Sequence, residues 1–158
     1  MERLQFWRFE NSGVRALMGV YAQLTRSGLD RSLLDLVFLR VSQLNRCAEC
    51  ADVTSREAIA HGIAPGQVNA VAAWRESPLF DERQRAALAW AEIVTEISEA
   101  GASDDAYREA ASHFSDTEFV DLTLAIALTN AFSRIAVAFH HGPPPVPALI
   151  EDAAATTG

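Results

Sequence analysis

The sequence is short of positive charge. Its 158 residues include 13 basic and 21 acidic side chains, which give a net charge of −8 at neutral pH. A protein that binds nucleic acid presents a basic face, and attraction to anionic lipid requires clustered lysine or arginine. We therefore expect no nucleic-acid partner and no membrane partner.

The sequence also lacks an apolar leader and an apolar run of membrane length. The first residues, MERLQFWRFENSG, carry charges throughout, unlike a secretory signal. The most apolar stretch, LTLAIALTNAF at 122–132, is too short to cross a bilayer and predicts a buried core helix. We expect a cytoplasmic protein, in which thiols stay reduced unless redox chemistry is their function.

Strand patterns are almost absent, whereas start and stop signals of helices are frequent. Asp81 with Gln84 and Ser115 with Glu118 have the spacing of capping boxes, and glycines follow several helical patterns. The sequence therefore predicts an all-α fold of seven or eight helices. The last long helix, about 116–140, is apolar nearly all round and is expected at the centre of the bundle.

The composition fits one domain. Hydrophobic residues make up 49% of the chain and charged residues 22%, and no repeat or mid-chain linker interrupts it. We predict a single helical domain at 1–142. The segment GPPPVP cannot continue a helix, and the Pro-rich tail at 143–158 is predicted to be disordered.

Only two cysteines are present, and they stand close together. The stretch RCAECADVTSREA puts Cys47 and Cys50 three residues apart at the predicted start of a helix, near Asn45. The free N–H groups and the dipole of a first helical turn stabilise a thiolate. Side chains three apart on a helix have Cβ atoms about 5–6 Å apart, whereas a disulfide needs about 3.5–4.5 Å. A disulfide here therefore requires some adjustment of the first turn.

The cysteine pair could also serve a purpose other than redox chemistry. A zinc site needs four ligands, and the chain has no second cysteine pair and no well-spaced histidine pair. A thioredoxin-type motif needs a βαβ context, which is missing. Two inert, buried cysteines remain an alternative. We expect no metal ion and no cofactor.

Three segments together resemble a known family. They are LLDLVFLRVSQLNRCAECADVTSREAIAHG, AAWRESPLFDERQRAALAWAE and FSDTEFVDLTLAIALTNAFSRIAVAF. They are similar to the alkylhydroperoxidase D-like (AhpD-like) family of the carboxymuconolactone decarboxylase superfamily, and the similarity runs over about 3–140. The resemblance implies an all-α orthogonal helical bundle and a homo-oligomer, which is a dimer, trimer or hexamer.

The resemblance also implies roles for four residues. The family motif is a glutamate twelve residues before the first cysteine, then C-x-x-C, then a histidine four residues after the second cysteine. By this match Cys50 attacks a small hydroperoxide and Cys47 closes the disulfide, which a lipoylated protein or a small thiol reduces. Asp35 stands at the glutamate position and Thr54 at the histidine position, so both proton-relay positions depart from the motif.

These departures affect the expected rate. Asp35 keeps a carboxylate within an apolar segment, where it suits proton transfer or pairing with an arginine. Thr54 is no base near neutral pH: its hydroxyl either bonds the thiol or a water, or bonds its own helix backbone in a purely structural role. General acid–base help contributes about 10²–10⁴-fold in rate. His61 lies about 16 Å further along the helix axis than Cys50 and is not expected to touch it. His140 and His141 close the last helix, and each either has a structural role or approaches a site, in this subunit or a neighbouring one.

Two more positions near the thiols depart from the family. Arg46 stands where the family often has glycine, and Glu49 stands where it often has tyrosine. A carboxylate between the cysteines opposes thiolate formation, and the arginine opposes that effect. Both side chains are equally compatible with solvated charges that nearly cancel.

The leading hypothesis is a thiol-dependent peroxidase or a related disulfide reductase. The alternative is a redox-sensing or ligand-binding family member with little peroxidase turnover, which is motivated by Thr54 in place of the histidine. A carboxymuconolactone decarboxylase-type enzyme ranks last, because that activity has no need of a cysteine pair.

Overall fold

The computed structural model describes residues 3, 4, 8 and 11–141. The described residues form an all-α fold without strands, as the sequence predicts. The predicted tail at 143–158 lies outside them, as does the predicted domain boundary at residue 142. This described part of the chain contains eight α-helices: α1 (Ser12–Leu24), α2 (Arg31–Leu44), α3 (Ala48–Ala60), α4 (Pro65–Ala70), α5 (Glu82–Thr95), α6 (Ile97–Ala100), α7 (Asp104–Ala111) and α8 (Asp116–Phe139). A 3-10 helix at Val71–Glu76 directly follows α4.

Both predicted capping boxes are present. The Asp81 carboxylate accepts the backbone N–H of Gln84 at 2.8 Å, and the Gln84 side chain accepts the N–H of Asp81 at 3.2 Å. Ser115 and Glu118 bond in the same reciprocal way at the start of α8. Each box satisfies two backbone donors that a helix start leaves without partners, so it fixes where the helix begins.

Helix α2 lies at the centre of the bundle, not α8 as the sequence predicts. Nine of the fourteen residues of α2 are buried, and the helix packs against α3, α5, α8 and the 3-10 helix. Only nine of the 24 residues of α8 are buried, and Val120, Leu124 and Val137 are exposed. Apolar composition was a poor guide here, because α8 has neighbours on one side whereas α2 is enclosed.

The core consists of two clusters that share α2. One cluster joins α2 to α5 and α8 through side chains such as Val37, Trp90 and Ile126. The other joins α2 to the segment between α3 and α5 through side chains such as Leu36 and Trp74. Both clusters therefore pack against α2 and fix its position. The cysteine pair directly follows the C-terminal end of this helix.

Among the described helices, α8 alone is long and apolar enough to cross a membrane by length and composition. Of its most apolar window, 39% is buried inside the protein. Core helices of soluble proteins pass the same test, so the property agrees with the core helix predicted at 122–132.

Candidate redox site

Cys47 and Cys50 form a disulfide, with their Cα atoms 5.2 Å apart. Helix α3 begins at Ala48, and Cys47 is its N-cap residue with φ −87° and ψ 99°. The helix therefore starts three residues later than predicted. This extended backbone is the adjustment that the spacing requires, because it removes Cys47 from helical geometry. The Cys47 sulfur also accepts the backbone N–H of Cys50 at 3.2 Å.

A tight turn between α2 and α3 sets the position of the cysteines. Arg46 in this turn has φ 54°, in the left-handed region that glycine adopts without cost. This conformation gives a physical reason for the glycine that the family often has here. The N–H of Cys47 then bonds the carbonyl of Ser42 at 3.1 Å, and the Cys47 residue is buried against the end of α2.

Cys50, in contrast, lines a cavity of about 300 Å³. Its walls come from α1, α2, α3 and α8. The apolar lining residues are Met18, Phe38, Val53, Leu128, Phe132 and Ala136, and the polar ones besides Cys50 are Tyr21, Ser42, Glu49, Thr54, Glu57, Thr129, Ser133 and His141. The two sulfurs thus differ in access, because only Cys50 borders the cavity.

Thr54 lines the same cavity one turn after Cys50. Its hydroxyl donates to the Cys50 carbonyl at 2.7 Å, the usual helical bond of threonine to the residue four positions earlier. The threonine proton is thus used by the backbone. This geometry matches the plain structural alternative for Thr54 rather than a proton relay.

Asp35 is buried and lies outside the cavity lining. Its Oδ1 accepts from Arg31 Nε at 2.9 Å, and its Oδ2 lies 2.7 Å from His61 Nδ1. The arginine pairing was one of the two sequence-based alternatives for this carboxylate. His61 is far from the thiols along α3, as predicted, but its partnership with Asp35 was not anticipated, since the two residues are 26 positions apart.

Sequence reasoning missed Glu57 and Tyr21, which both line the cavity. The Tyr21 hydroxyl donates to Glu57 Oε2 at 3.3 Å and accepts from Arg31 Nη2 at 3.2 Å. Burial, and then the Glu57 carboxylate, raise the pKa of Tyr21 above its ordinary value. A signal for Glu57 was available, because a residue seven positions after Cys50 shares its helix face.

Glu49 and His141 meet at the cysteine end of the cavity. His141 Nε2 lies 3.4 Å from Glu49 Oε1, so the residue after α8 reaches the first turn of α3 within one chain. The second oxygen of Glu49 and the hydroxyl of Ser133 are buried, and neither has a hydrogen-bond partner among the described residues. Both residues line the cavity. No three His, Cys, Asp or Glu side chains in the described part of the chain converge as a metal site.

A hydrogen-bond network ties α8 to the cysteine turn. Asn45 Nδ2 donates to Asn130 Oδ1 at 2.8 Å. Arg134 Nη1 donates to the same oxygen at 2.7 Å and to Asn45 Oδ1 at 3.2 Å. These bonds fix the spacing between the end of α2 and the face of α8 that forms one wall of the cavity.

Comparison with known proteins assigns the chain to a family. Residues 13–92 match the model of the carboxymuconolactone decarboxylase family. The crystal structure of ATU0492 from Agrobacterium tumefaciens is 36% identical and covers 92% of this chain and 99% of its own, with a TM-score of 0.87. ATU0492 is a protein of unknown function for which an AhpD role in antioxidant defence has been suggested.

Two further relatives extend the comparison. The uncharacterized protein YdfG of Bacillus subtilis is 28% identical over 137 residues, which are 87% of this chain and 93% of YdfG. The debrominase Bmp8 shares the fold alone, at 21% identity and a TM-score of 0.76, over 87% of this chain and 74% of its own. The family match, the similarity to ATU0492 over nearly its whole length and the Cys47–Cys50 disulfide support a peroxidase-related redox role. The chain belongs to the carboxymuconolactone decarboxylase family and is one of its AhpD-like members.

Proposed function

We propose that this protein is a thiol-dependent peroxidase that reduces small organic hydroperoxides at Cys50. One observation carries the proposal: the disulfide joins a buried sulfur, Cys47, to a sulfur that lines an apolar cavity, Cys50. An attacking thiol needs access to its substrate, whereas a resolving thiol needs access only to its partner.

The reaction has two steps within the protein. The Cys50 thiolate attacks one peroxide oxygen, the O–O bond breaks, and the alkoxide takes a proton and leaves as the alcohol. Cys50 is now a sulfenic acid. The Cys47 sulfur attacks the Cys50 sulfur, and the hydroxyl group leaves as water with the thiol proton of Cys47. The peroxide has gained two electrons, and the two thiols have lost two.

A second thiol compound must then reduce the disulfide. We propose a lipoylated protein or a small thiol as this reductant, in the cytoplasm, where such thiols are kept reduced. Access is asymmetric here too, because an incoming thiolate reaches Cys50 through the cavity, whereas Cys47 is buried. Attack at Cys50 would release Cys47 as the leaving thiolate.

The lining of the cavity favours organic substrates. Two phenylalanines, a methionine and a leucine form much of its wall, at Phe38, Phe132, Met18 and Leu128. Apolar walls bind an alkyl or aryl group through its removal from water, which hydrogen peroxide does not offer. We therefore expect faster turnover of cumene hydroperoxide than of hydrogen peroxide.

Two observations favour a second candidate, a redox sensor with little turnover. The Thr54 hydroxyl is bonded to the backbone, and Asp35 is paired with Arg31 and His61 rather than facing the cavity. Neither residue therefore has the geometry of a proton donor at Cys50. If nothing replaces them, the disulfide would form slowly and would report oxidation without removing much peroxide.

A single-turnover experiment separates the two candidates. Reduced protein is mixed with cumene hydroperoxide, loss of the peroxide is followed, and the products are mapped by mass spectrometry. The peroxidase should form the Cys47–Cys50 disulfide rapidly, Cys50→Ser should abolish the reaction, and Cys47→Ser should stop at a sulfenic acid that dimedone traps. Peroxide loss no faster than with free cysteine would instead favour the sensor.

A further inference from the structure

We infer that His141, positioned by Glu49, is the acid–base group that serves Cys50, in the absence of a histidine at position 54. This inference rests on the proposed peroxidase function. It assigns the proton transfers to a residue from the end of α8 instead of to one on α3.

The chemistry requires such a group twice in each cycle. The Cys50 thiol must lose a proton to become nucleophilic, and the alkoxide that leaves the peroxide must gain one. A single group that accepts the first proton and delivers the second closes the cycle without net change. Efficient transfer requires a side chain that titrates near the working pH.

Few titratable groups face the cavity. Helix α1 contributes Tyr21, and α3 contributes Glu49 and Glu57 in addition to Cys50. The lining residues of α2 and α8 carry no charge. Tyr21 is bonded to Glu57 with its pKa raised, so it is far from titrating at neutral pH. Histidine is the side chain that enzymes use most often as a general acid or base. His141 is the histidine that lines this cavity.

The backbone fixes the position of His141. His140 adopts the left-handed conformation with φ 52°, and its N–H bonds the carbonyl of Val137 at 3.1 Å. The N–H of His141 bonds the carbonyl of Ala136 at 2.9 Å, which completes the Schellman motif that ends many helices. The motif reverses the chain, so that His141 returns to the cavity wall to which Ala136 also contributes.

Glu49 contacts the ring of His141 at the cysteine end of the cavity. The 3.4 Å contact joins His141 to the residue directly before Cys50 in the first turn of α3. Glu57, in comparison, lies two turns further along the same helix, about 10 Å along the axis from Cys50. Glu49 is thus a positioning residue, and this contact gives its carboxylate a role other than that of a solvated charge.

The proton balance follows from this placement. Neutral His141 accepts the proton of the Cys50 thiol and becomes an imidazolium. The Cys50 thiolate attacks the peroxide, and the imidazolium gives its proton to the departing alkoxide. His141 is neutral again, and no external acid or base is consumed.

The test compares His141→Gln with a matched control, His140→Asn. The control removes the adjacent histidine, and asparagine tolerates the left-handed conformation of that position. Two rates are measured from pH 5 to 9 on the reduced protein: single-turnover reduction of cumene hydroperoxide, and alkylation of Cys50 by iodoacetamide. Thermal unfolding of each variant shows that it is folded.

We expect His141→Gln to lower the peroxide rate by about 10²-fold, the lower end of general acid–base contributions, and to change how that rate depends on pH. Its Cys50 should become reactive toward iodoacetamide at higher pH than in the wild type, and His140→Asn should match the wild type in both assays. Added imidazole should restore part of the peroxide rate to His141→Ala, which a purely structural role would not allow.

The outcomes distinguish an error in the role given to His141 from an error in the proposed peroxidase function. A wild-type protein that reduces peroxide, with His141→Gln unchanged in rate and pH profile, overturns the inference and leaves the peroxidase intact. A wild-type protein that does not reduce peroxide overturns the proposed function. In that case an altered alkylation profile in His141→Gln would still support proton transfer between His141 and Cys50, and an unaltered one would reject it.

Discussion

Arg46 shows how one residue can be strained by the turn that places a redox pair. Its φ of 54° costs a residue with a Cβ about 1–2 kcal/mol, and glycine removes that cost while adding back about 0.5–1 kcal/mol of chain entropy. We predict that Arg46→Gly stabilises the fold by about 0.5 kcal/mol. The melting temperature of the oxidised protein should therefore rise by about 1–2 °C.

Arg46→Ala is the matched control for this prediction. It removes the same guanidinium group but keeps the Cβ in the left-handed region, so its melting temperature should not rise. An equal rise in both variants would assign the effect to the charge of Arg46 rather than to its backbone. A fall in Arg46→Gly would mean that the arginine side chain stabilises the turn.

The sequence predicted that Asp35 is buried but did not predict both of its hydrogen-bond partners. The apolar neighbours of Asp35 correctly indicated a buried carboxylate, because flanking hydrophobic residues report the environment of a helix segment. Pairing with an arginine was one of the sequence-based alternatives for Asp35, but His61 as a second partner was not predictable. Arg31 is one helical turn away, so its pairing was one of several options, whereas the approach of His61 depends on how α3 packs against α2.

Glu92 is partly buried and connects three elements. Its carboxylate on α5 accepts from Arg40 of α2 at 2.7 Å and from Trp74 of the 3-10 helix at 2.8 Å, and it pairs with Arg75. Burial alone would raise the pKa of Glu92, but the hydrogen bonds from Trp74, Arg75 and Arg40 hold that pKa below its ordinary value.

We predict that Glu92→Gln destabilises the protein by about 2 kcal/mol at pH 7, the scale of hydrogen bonds to a charged group. Because the folded-state pKa of Glu92 is lowered, its stabilisation is complete above the unfolded pKa of about 4.3 and is lost as the pH falls through the folded pKa. The deficit of the glutamine variant should therefore shrink below about pH 4. Urea unfolding at pH 7, 5 and 3.5 measures it.

The control for this prediction is Glu96→Gln, an exposed carboxylate at the end of the same helix. This variant should differ little from the wild type at any pH. A deficit in Glu92→Gln that stays constant down to pH 3.5 would contradict the electrostatic account and would assign the loss to packing.

Element boundaries were predictable wherever a side chain caps the helix. Asp81 and Ser115 start α5 and α8 because their carboxylate and hydroxyl satisfy backbone donors locally. The start of α3 was not predictable in this way. Cys47 is the N-cap there, a role that its disulfide and the turn at Arg46 impose and that cysteine has no strong intrinsic preference for.

One face of α8 is a candidate contact surface between copies of the chain. Val120, Leu124 and Ala127 recur along one face of this helix and are exposed in the single chain. Such a contiguous apolar stripe is typical of a surface covered by another protein. We therefore propose that it forms a contact between copies in a dimer, trimer or hexamer.

We predict that Leu124→Glu disrupts this assembly, because the contact would have to bury an unpaired charge. Light scattering coupled to size-exclusion chromatography should give an oligomer for the wild type and a smaller species for the variant. Ala102→Glu, an exposed site between α6 and α7, should keep the wild-type mass. A monomeric wild type would refute the proposal.

The sequence by itself determined the helical class of the fold, its principal caps and the family resemblance, which in turn implied the pairing of Cys47 with Cys50. These features depend on residues within a few turns of one another, or on a motif with fixed spacing. Only the tertiary structure decided that α2 rather than α8 is central. It also decided that Cys50 alone borders the cavity and that His141 reaches Glu49 across 92 residues of chain. The physical reason is that burial and long-range contacts depend on how helices pack, and local patterns of hydrophobicity and capping do not specify which faces meet.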